Sequence, residues 1–268
     1  MTDIAGCLVV VRGGGDVGSG VIWRLRRVGF PVVVLELARP LAVRRTVAFS
    51  SAVLEGRVEI DGVEGLLVAS AEEALEAAGR GVVPVLISDV VPAFPVPVSV
   101  LVDARIAKNA LDTRVGQAPF VVGLGPGFVV GVHCDAVIET MRGHPLGSVI
   151  WSGSAVPNTG IPGELGGASA ERVIRAEAAG HLAWDVGFGE TVAAGQRLGT
   201  IGDVAVTARI GGTVRGMIAP GEVTPGLKIG DVDPRPDAGM IAHISDKALA
   251  VAGGVLEAVL VWLNRSGR

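Results

Sequence analysis

The stretch from Leu8 to Glu36 constrains this chain more than any other. An apolar run stops at three glycines, a helical pattern follows, and a second run (Val32 to Leu35) ends on Glu36. This pattern reads as strand, tight turn, helix, strand. Gly13, Gly15 and Gly18 match G-x-G-x-x-G where a strand hands over to a helix, and Gly14 and Asp16 complete the turn. In such a turn the first glycine permits the bend and the second lets backbone approach a diphosphate. The third lets helix and strand pack closely, and the helix N-terminus offers N–H groups to the anion. Glu36 stands where an acid accepts hydrogen bonds from a ribose hydroxyl pair. An acid there disfavours a 2′-phosphate, so NAD or another nucleotide fits better than NADP. A plain glycine-rich turn with no ligand is the bland alternative.

Strands and helices alternate over the first hundred or so residues. Asp61-Gly62 marks a two-residue hairpin, and Ser70 with Glu73 forms a capping box. Val82 to Ile87 reads as a strand that Pro84 consigns to an edge or a bulge. Val98 to Val102 is a further buried strand. Together these predict an α/β fold whose N-terminal part is a Rossmann-like parallel sheet, with ligands at the strands' carboxyl ends. Asp89 and Asp103 close two such strands, which puts Asp103, Arg105 and Lys108 at the rim.

From Phe120 to Glu164, glycines and prolines punctuate short valine strands, and polar residues of catalytic type cluster. His133 and Asp135 would face one side of a strand and Cys134 the other. Glu139, Arg142 and His144 follow, then Asn158, Thr159 and Glu164. His133, Cys134 and His144 are the catalytic candidates. Arg142, Asn158 and Thr159 join Gly13, Gly14, Gly15, Asp16, Gly18, Glu36 and Asp103 as ligand contacts. A surface pair between Arg142 and Glu139 is the bland alternative for that arginine. The segment lacks the His and Cys spacings of a metal site, so none is expected.

Val192, Gly195, Leu198, Gly199 and Ile201 recur as Val223, Gly226, Ile229, Gly230 and Val232, 31 positions later. Two such β units around a shared interior predict a β-rich barrel-sandwich that resembles the biotinyl/lipoyl carriers. The hairpin between the halves reads Gly202-Asp203, with no lysine to modify. The expected organisation is a nucleotide-binding domain over 1–118 and a pocket-completing central segment over 119–164. A barrel-sandwich over 165–245 and a C-terminal helix over 246–268, capped by Ser245 or Asp246, follow.

Composition narrows the function classes. A formal net charge of -4, 4% aromatic residues and no tyrosine argue against a nucleic-acid partner. The mean hydropathy is +0.54, yet the apolar segment from Ala248 to Leu263 is shorter than the roughly 20 residues a membrane span needs. It reads as a packing helix, and nothing near the start reads as a signal peptide. Cys7 and Cys134 make no disulfide framework, so a reducing cytoplasm is expected.

The order of several motifs resembles one family, the YqeB-type accessory proteins of the selenium-dependent molybdenum hydroxylase system. These motifs are RGGGDVGSG, DARIAK, GLGPGF (Gly123 to Phe128), VIETMRGHPLG (Val137 to Gly147), NTGIPG (Asn158 to Gly163) and KIGDVDPR (Lys228 to Arg235). Ser148 departs from it where an arginine is expected. The resemblance implies a bacterial accessory protein that matures or supplies a molybdenum hydroxylase, which would be a partner beside a nucleotide ligand and a second copy of the chain. The ligand would be NAD, another nucleotide or a molybdopterin dinucleotide. An NAD-dependent oxidoreductase using His133, His144 or Lys108 is the competing reading.

Overall fold

A computed structural model describes residues 4–107, 112–158, 160, 166–235 and 238–267. The chain divides into two compact units: Met1–Pro40, Val47–Asn158 and Ile244–Arg268 form the first, Leu41–Thr46 and Thr159–His243 the second. Lys108, Thr159 and Glu164 lie outside the described residues.

Among the described residues the first unit is built on nine strands: β1 (Val9–Arg12), β2 (Val32–Glu36), β3 (Arg57–Ile60), β4 (Val63–Val68), β5 (Val83–Ile87), β6 (Val100–Asp103), β7 (Phe120–Leu124), β8 (Ala136–Ile138) and β9 (Val149–Ile150). They form one mixed sheet in the order β3-β4-β5-β2-β1-β6-β7-β8-β9. The seven inner strands run parallel, and the hairpins β3–β4 and β8–β9 close the two edges antiparallel. Valine runs suit the centre because both faces are covered. Val9, Val11, Val32, Val34, Val100 and Val102 turn into one core. Leu8, Val10, Val33 and Leu101 turn into the other.

Among the described residues four α-helices accompany the sheet: α1 (Asp16–Arg27), α2 (Ala52–Glu55), α3 (Ala71–Gly79) and α4 (Asp246–Ser266). The 21-residue α4 is the apolar C-terminal segment, and it docks against α1 and β7–β9. Val251, Ala252, Val255, Ala258, Val259 and Leu263 face the core. Small residues let the elements close up. A Cβ on Gly20 would stand 2.6 Å from Ala248 O, and one on Gly254 would run into Gly147 O. Ser245 caps α4 by accepting the Ala248 N–H at 3.2 Å. Among the described residues, no helix is long and apolar enough to cross a membrane.

This architecture corrects the expected Rossmann-like parallel sheet. The sheet is larger and mixed, and it takes β7, β8 and β9 from the glycine-rich segment. Among the described residues the connections from β5 to β6, β6 to β7 and β7 to β8 carry no helix. The face they leave open is covered by α4, which arrives from the other end of the chain. Pro84 is likewise not at an edge, since β5 lies between β4 and β2. It is tolerated because pairing with β2 begins only at Val85, so on that side no ladder bond is lost. The Asp61-Gly62 hairpin forms as its sequence requires, with φ of 44° and 78°.

The second unit contains β10 (Val173–Arg175), β11 (Gly180–Trp184), β12 (Thr191–Val192), β13 (Arg197–Ile201), β14 (Val204–Thr207), β15 (Gly212–Met217), β16 (Gly221–Val223) and β17 (Lys228–Asp233). They make two four-stranded antiparallel sheets, β10-β17-β15-β12 and β14-β13-β11-β16, and not the expected biotinyl/lipoyl barrel-sandwich. The repeat itself is present, because β12–Gly195–β13 corresponds to β16–Gly226–β17 and both glycines have φ near 80°. Its strands, however, are dealt to different sheets, and β10, β11 and residues 41–46 lie outside it. Met217 N–H donates to Val43 O and Arg45 Nε donates to Met217 O, so that distant segment is held by the β15 end.

Candidate functional site

The chain leaves β1 toward β2 on one side, while β6 pairs with β1 on the other. Such a reversal opens a crevice at the strands' carboxyl ends, where open α/β sheets hold ligands. Arg12 and Asp103 end the two strands as register partners, and the glycine turn follows Arg12.

The glycines of that turn have different tasks. Gly13 has φ of 98°, and a Cβ there would stand 3.1 Å from Arg105 N. Gly14 is overlain by Ser50, whose N–H would be 2.8 Å from a Cβ. Gly18 abuts Gly13 O and the Ala104 side chain, which allows the close helix–strand packing. Gly15, the N-cap of α1, has φ of -72° and only open space around its absent side chain. Among the described residues the N–H groups of Gly15, Val17 and Gly18 have no hydrogen-bond partner, as expected of a helix start. Ser19 Oγ donates to Gly14 O at 2.9 Å and accepts the Phe49 N–H, and Ser50 N–H donates to Gly14 O. Both serines pin the turn, and neither carried a sequence signal. Glu36 accepts the Gly14 N–H on Oε2 and the Leu37 N–H on Oε1, each at 2.8 Å. One lone pair of each oxygen therefore remains for another donor.

Beside the turn lies an ion network. Asp103 is fully buried; it accepts from Arg105 Nε and Nη and from Thr113 Oγ1 at 2.6 Å. Arg12 donates to Thr113 Oγ1, Asp89 O and Asp112 Oδ2. Hydrogen bonds from Arg12 hold the Asp112 carboxyl well below its ordinary range against its burial, and Arg105 adds to this. Asp103, expected as a ligand contact, instead orients Arg105 at the rim.

The central segment behaves differently from the sequence expectation. His133 lies in a turn before β8 and Cys134 in an isolated bridge to Val130, and neither is in a strand. His133 Nδ1 accepts the Val129 N–H at 3.0 Å, and the ring meets Phe128 edge-on. Cys134 is buried, and burial pushes its thiol up to about 12, which suits packing and not nucleophilic attack. His144 and Asn158 are exposed. Arg142 makes a two-pronged pair with Asp246 (2.8 and 3.0 Å), not with Glu139. Glu139 is buried and accepts backbone N–H groups from Thr140, Met141 and Val156.

Lys247, in the first turn of α4, was not singled out by sequence. Burial, then the Arg142 charge, lowers its pKa, and Asp16, Glu139 and Asp246 oppose that shift. Electrostatic reach to all four ties the start of α1 to the Glu139–Arg142 turn. Only the docking of α4 on α1 creates this neighbourhood. A separate open depression of about 690 Å³ lies at the amino ends of β6 and β7, lined by Phe94, Val98, Gln117, Pro119 and Asp135. Among the described residues no group of three His, Cys, Asp or Glu side chains could hold a metal ion.

The chain is 45% identical over 264 residues to the protein of Escherichia coli (strain K12) named uncharacterized protein YqeB. That covers 96% of this chain and 48% of the other, so the chain spans about half the length of the curated relative it matches. No family model matches. Among solved structures, a succinylglutamate desuccinylase/aspartoacylase of Rhodobacter sphaeroides covers 87% of both chains at 16% identity and a TM-score of 0.29. An aspartoacylase family protein of Mesorhizobium loti covers 85% of this chain and 84% of its own at 10% identity and 0.28. The ectoine utilization protein EutE of Ruegeria pomeroyi covers 84% of this chain and 56% of its own at 13% and 0.24. At these TM-scores none carries an argument about this chain.

Proposed function

We propose that this chain is a YqeB-type protein and serves a molybdenum hydroxylase system as an accessory factor that binds a nucleotide or a nucleotide-bearing cofactor. Likeness to the Escherichia coli protein over nearly the whole chain supports the family, and the motif resemblance supplies the molybdenum role. One structural observation carries the nucleotide. At the crevice between β1 and β6, Gly15 leaves open space at a helix N-terminus where the Gly15, Val17 and Gly18 N–H groups have no partner among the described residues. A diphosphate fits that donor set, and Glu36 retains acceptor capacity for a ribose. Lys247 supplies a nearby cation and Arg105 a second. A molybdopterin dinucleotide would engage the turn through the same diphosphate. The competing oxidoreductase reading gains no support from His133, whose ring nitrogen is taken by a backbone N–H, or from exposed His144.

Calorimetric titration of NAD, ATP, CTP and AMP tests the reading. The expected result is saturable heat from at least one of them. Gly15→Arg should abolish it and leave the melting temperature unchanged, since φ at Gly15 is open to any residue and its surroundings are empty. Lys247→Met should weaken binding about tenfold, or ~1.4 kcal/mol. No heat from any nucleotide, or binding indifferent to Gly15→Arg, refutes the site. The mass of a small molecule co-purifying from the native host identifies the ligand.

A further inference from the structure

β14 (Val204–Thr207) is the outermost strand of its sheet, and among the described residues no strand pairs with its outer side. A bare strand edge is a template for another strand, and proteins blunt such edges with charges, prolines, bulges or extreme shortness. The other edges of this chain follow that rule. β3 exposes the charged Arg57 and Glu59, and β16 exposes Glu222. β9 and β12 have two residues each, and β10 slips register between Ile174 and Arg175. β14 uses none of these devices. Its residues, Val-Ala-Val-Thr, are uncharged and free of proline, and the slip in its pairing falls on β13, at Leu198.

The backbone of β14 is set for a partner. Ala208 N–H donates to Gln196 O, and Ala208 O accepts the Gly195 N–H, at 2.9 and 2.8 Å. Alternation along the strand then turns the N–H and C=O groups of Val204 and Val206 toward β13 and those of Ala205 and Thr207 outward. Side chains alternate as well: Val206 and Ala208 belong to the core of the second unit, and Ala205 and Thr207 are exposed. Val204 shares the inner face with Val206, yet it is 42% exposed, beside a cavity of about 30 Å³ that Ile174 and Ile201 also line. The apolar face is unfinished at this edge.

We propose that β14 is an interface with a second copy of this chain, the two strands pairing antiparallel about a two-fold axis at Val206. The charges flanking the strand select this occupant and this register. Asp203 precedes it and has no ion-pair partner among the described residues. Arg209 follows it and reaches Glu177 only at 3.6 Å, with both side chains exposed. Centred on Val206, the pairing sets Asp203 of each copy opposite the partner's Arg209. Ala205 then faces the partner's Thr207, and their outward N–H and C=O groups exchange hydrogen bonds. Val204 comes to lie beside the partner's Ala208, which extends the apolar face past the cavity. Opposite charges across a strand pair are favourable and like charges are not, so a slipped register forfeits the match. Such self-complementarity is what a two-fold dimer requires.

Sedimentation velocity of the full chain, over about a hundredfold range of concentration, reads the assembly by mass action. The expected result is a shift from monomer to dimer as concentration rises. Ala205→Pro removes an outward N–H that the chain's own sheet does not use. It should weaken dimerisation by about tenfold or more, because a hydrogen bond is lost at each of two symmetric places. Asp203→Arg sets arginines opposite each other and should weaken it by about tenfold. Adding Arg209→Asp to that variant exchanges the charges and should restore dimerisation to within about threefold. Should Ala205→Pro fail to fold, hydrogen exchange in the unaltered protein decides. The Ala205 and Thr207 amides should gain protection with concentration, whereas Val206, already bonded to β13, should not. A chain that stays monomeric leaves this edge to a strand of some other protein and overturns the proposal. So does a dimer indifferent to Ala205→Pro, one that the exchanged charges do not rescue, or one that leaves the Ala205 amide unprotected.

Discussion

Replacing Glu139 tests whether the turn carrying Arg142 is held by one buried carboxylate. The side chain is 2% exposed; Oε1 accepts Thr140 and Met141 N–H, both at 2.7 Å, and Oε2 accepts Val156 N–H at 2.8 Å. In Glu139→Ala the Thr140 donor stays buried without a partner, which costs about 1–3 kcal/mol. Met141 and Val156 are more exposed and can turn to water, so each loses only about 0.5–1.5 kcal/mol. Relief from burying a charge offsets part of the total. The expected loss is about 3 kcal/mol, a large share of the 5–15 kcal/mol typical of a folded domain. Glu139→Gln keeps a carbonyl oxygen for the two donors at Oε1 and loses only the Val156 bond, so about 1 kcal/mol is expected. Urea unfolding measures both losses, and hydrogen exchange at Thr140 and Met141 locates them. Because the chain has two units, the transition is fitted as two-state only where separate probes coincide. An alanine variant within about 1 kcal/mol of wild type, or a glutamine variant as damaged as alanine, refutes the reasoning.

Two further outcomes follow from packing. Gly254→Ala should destabilise by about 1–3 kcal/mol, because its Cβ would meet Gly147 O and Ile138 Cγ2; adjacent Gly253→Ala, with nothing nearby, should stabilise by about 0.5–1 kcal/mol. Thermal melts of the pair check this opposition of sign. Cys134, whose thiol is pushed up to about 12 by burial, should resist iodoacetamide at pH 8 in the folded protein and react once urea unfolds it, as read by intact mass.

The features legible in the sequence are those decided by near neighbours along the chain. Three glycines between apolar runs dictate the β1–α1 turn, because few other residues reach φ near 98° or tolerate Gly13 O against their side chain. Asp61-Gly62 sets the β3–β4 hairpin by the same rule. Ser70 and Ser245 announce helix starts, since a hydroxyl beside free N–H groups is a local bond. The repeat at Val192 and Val223 is visible because each copy carries its own turn.

Tertiary structure decided what partners each element finds. The valine run of β5 is compatible with an edge or an interior position, and only pairing with both β4 and β2 places Pro84 inside. His133 and Cys134 alternate like strand residues, yet the bonds between Val129 and His133 close a turn. The apolar stripe of α4 announces that it must be buried but not against what; its small residues meet Gly20 on α1 and Gly147 before β9. That docking brings Lys247 to Asp16 and turns Arg142 from Glu139 to Asp246. Local bonds are specified by spacing along the chain. Burial in water's absence rewards any apolar surface nearly alike, so the choice of partner belongs to the whole fold.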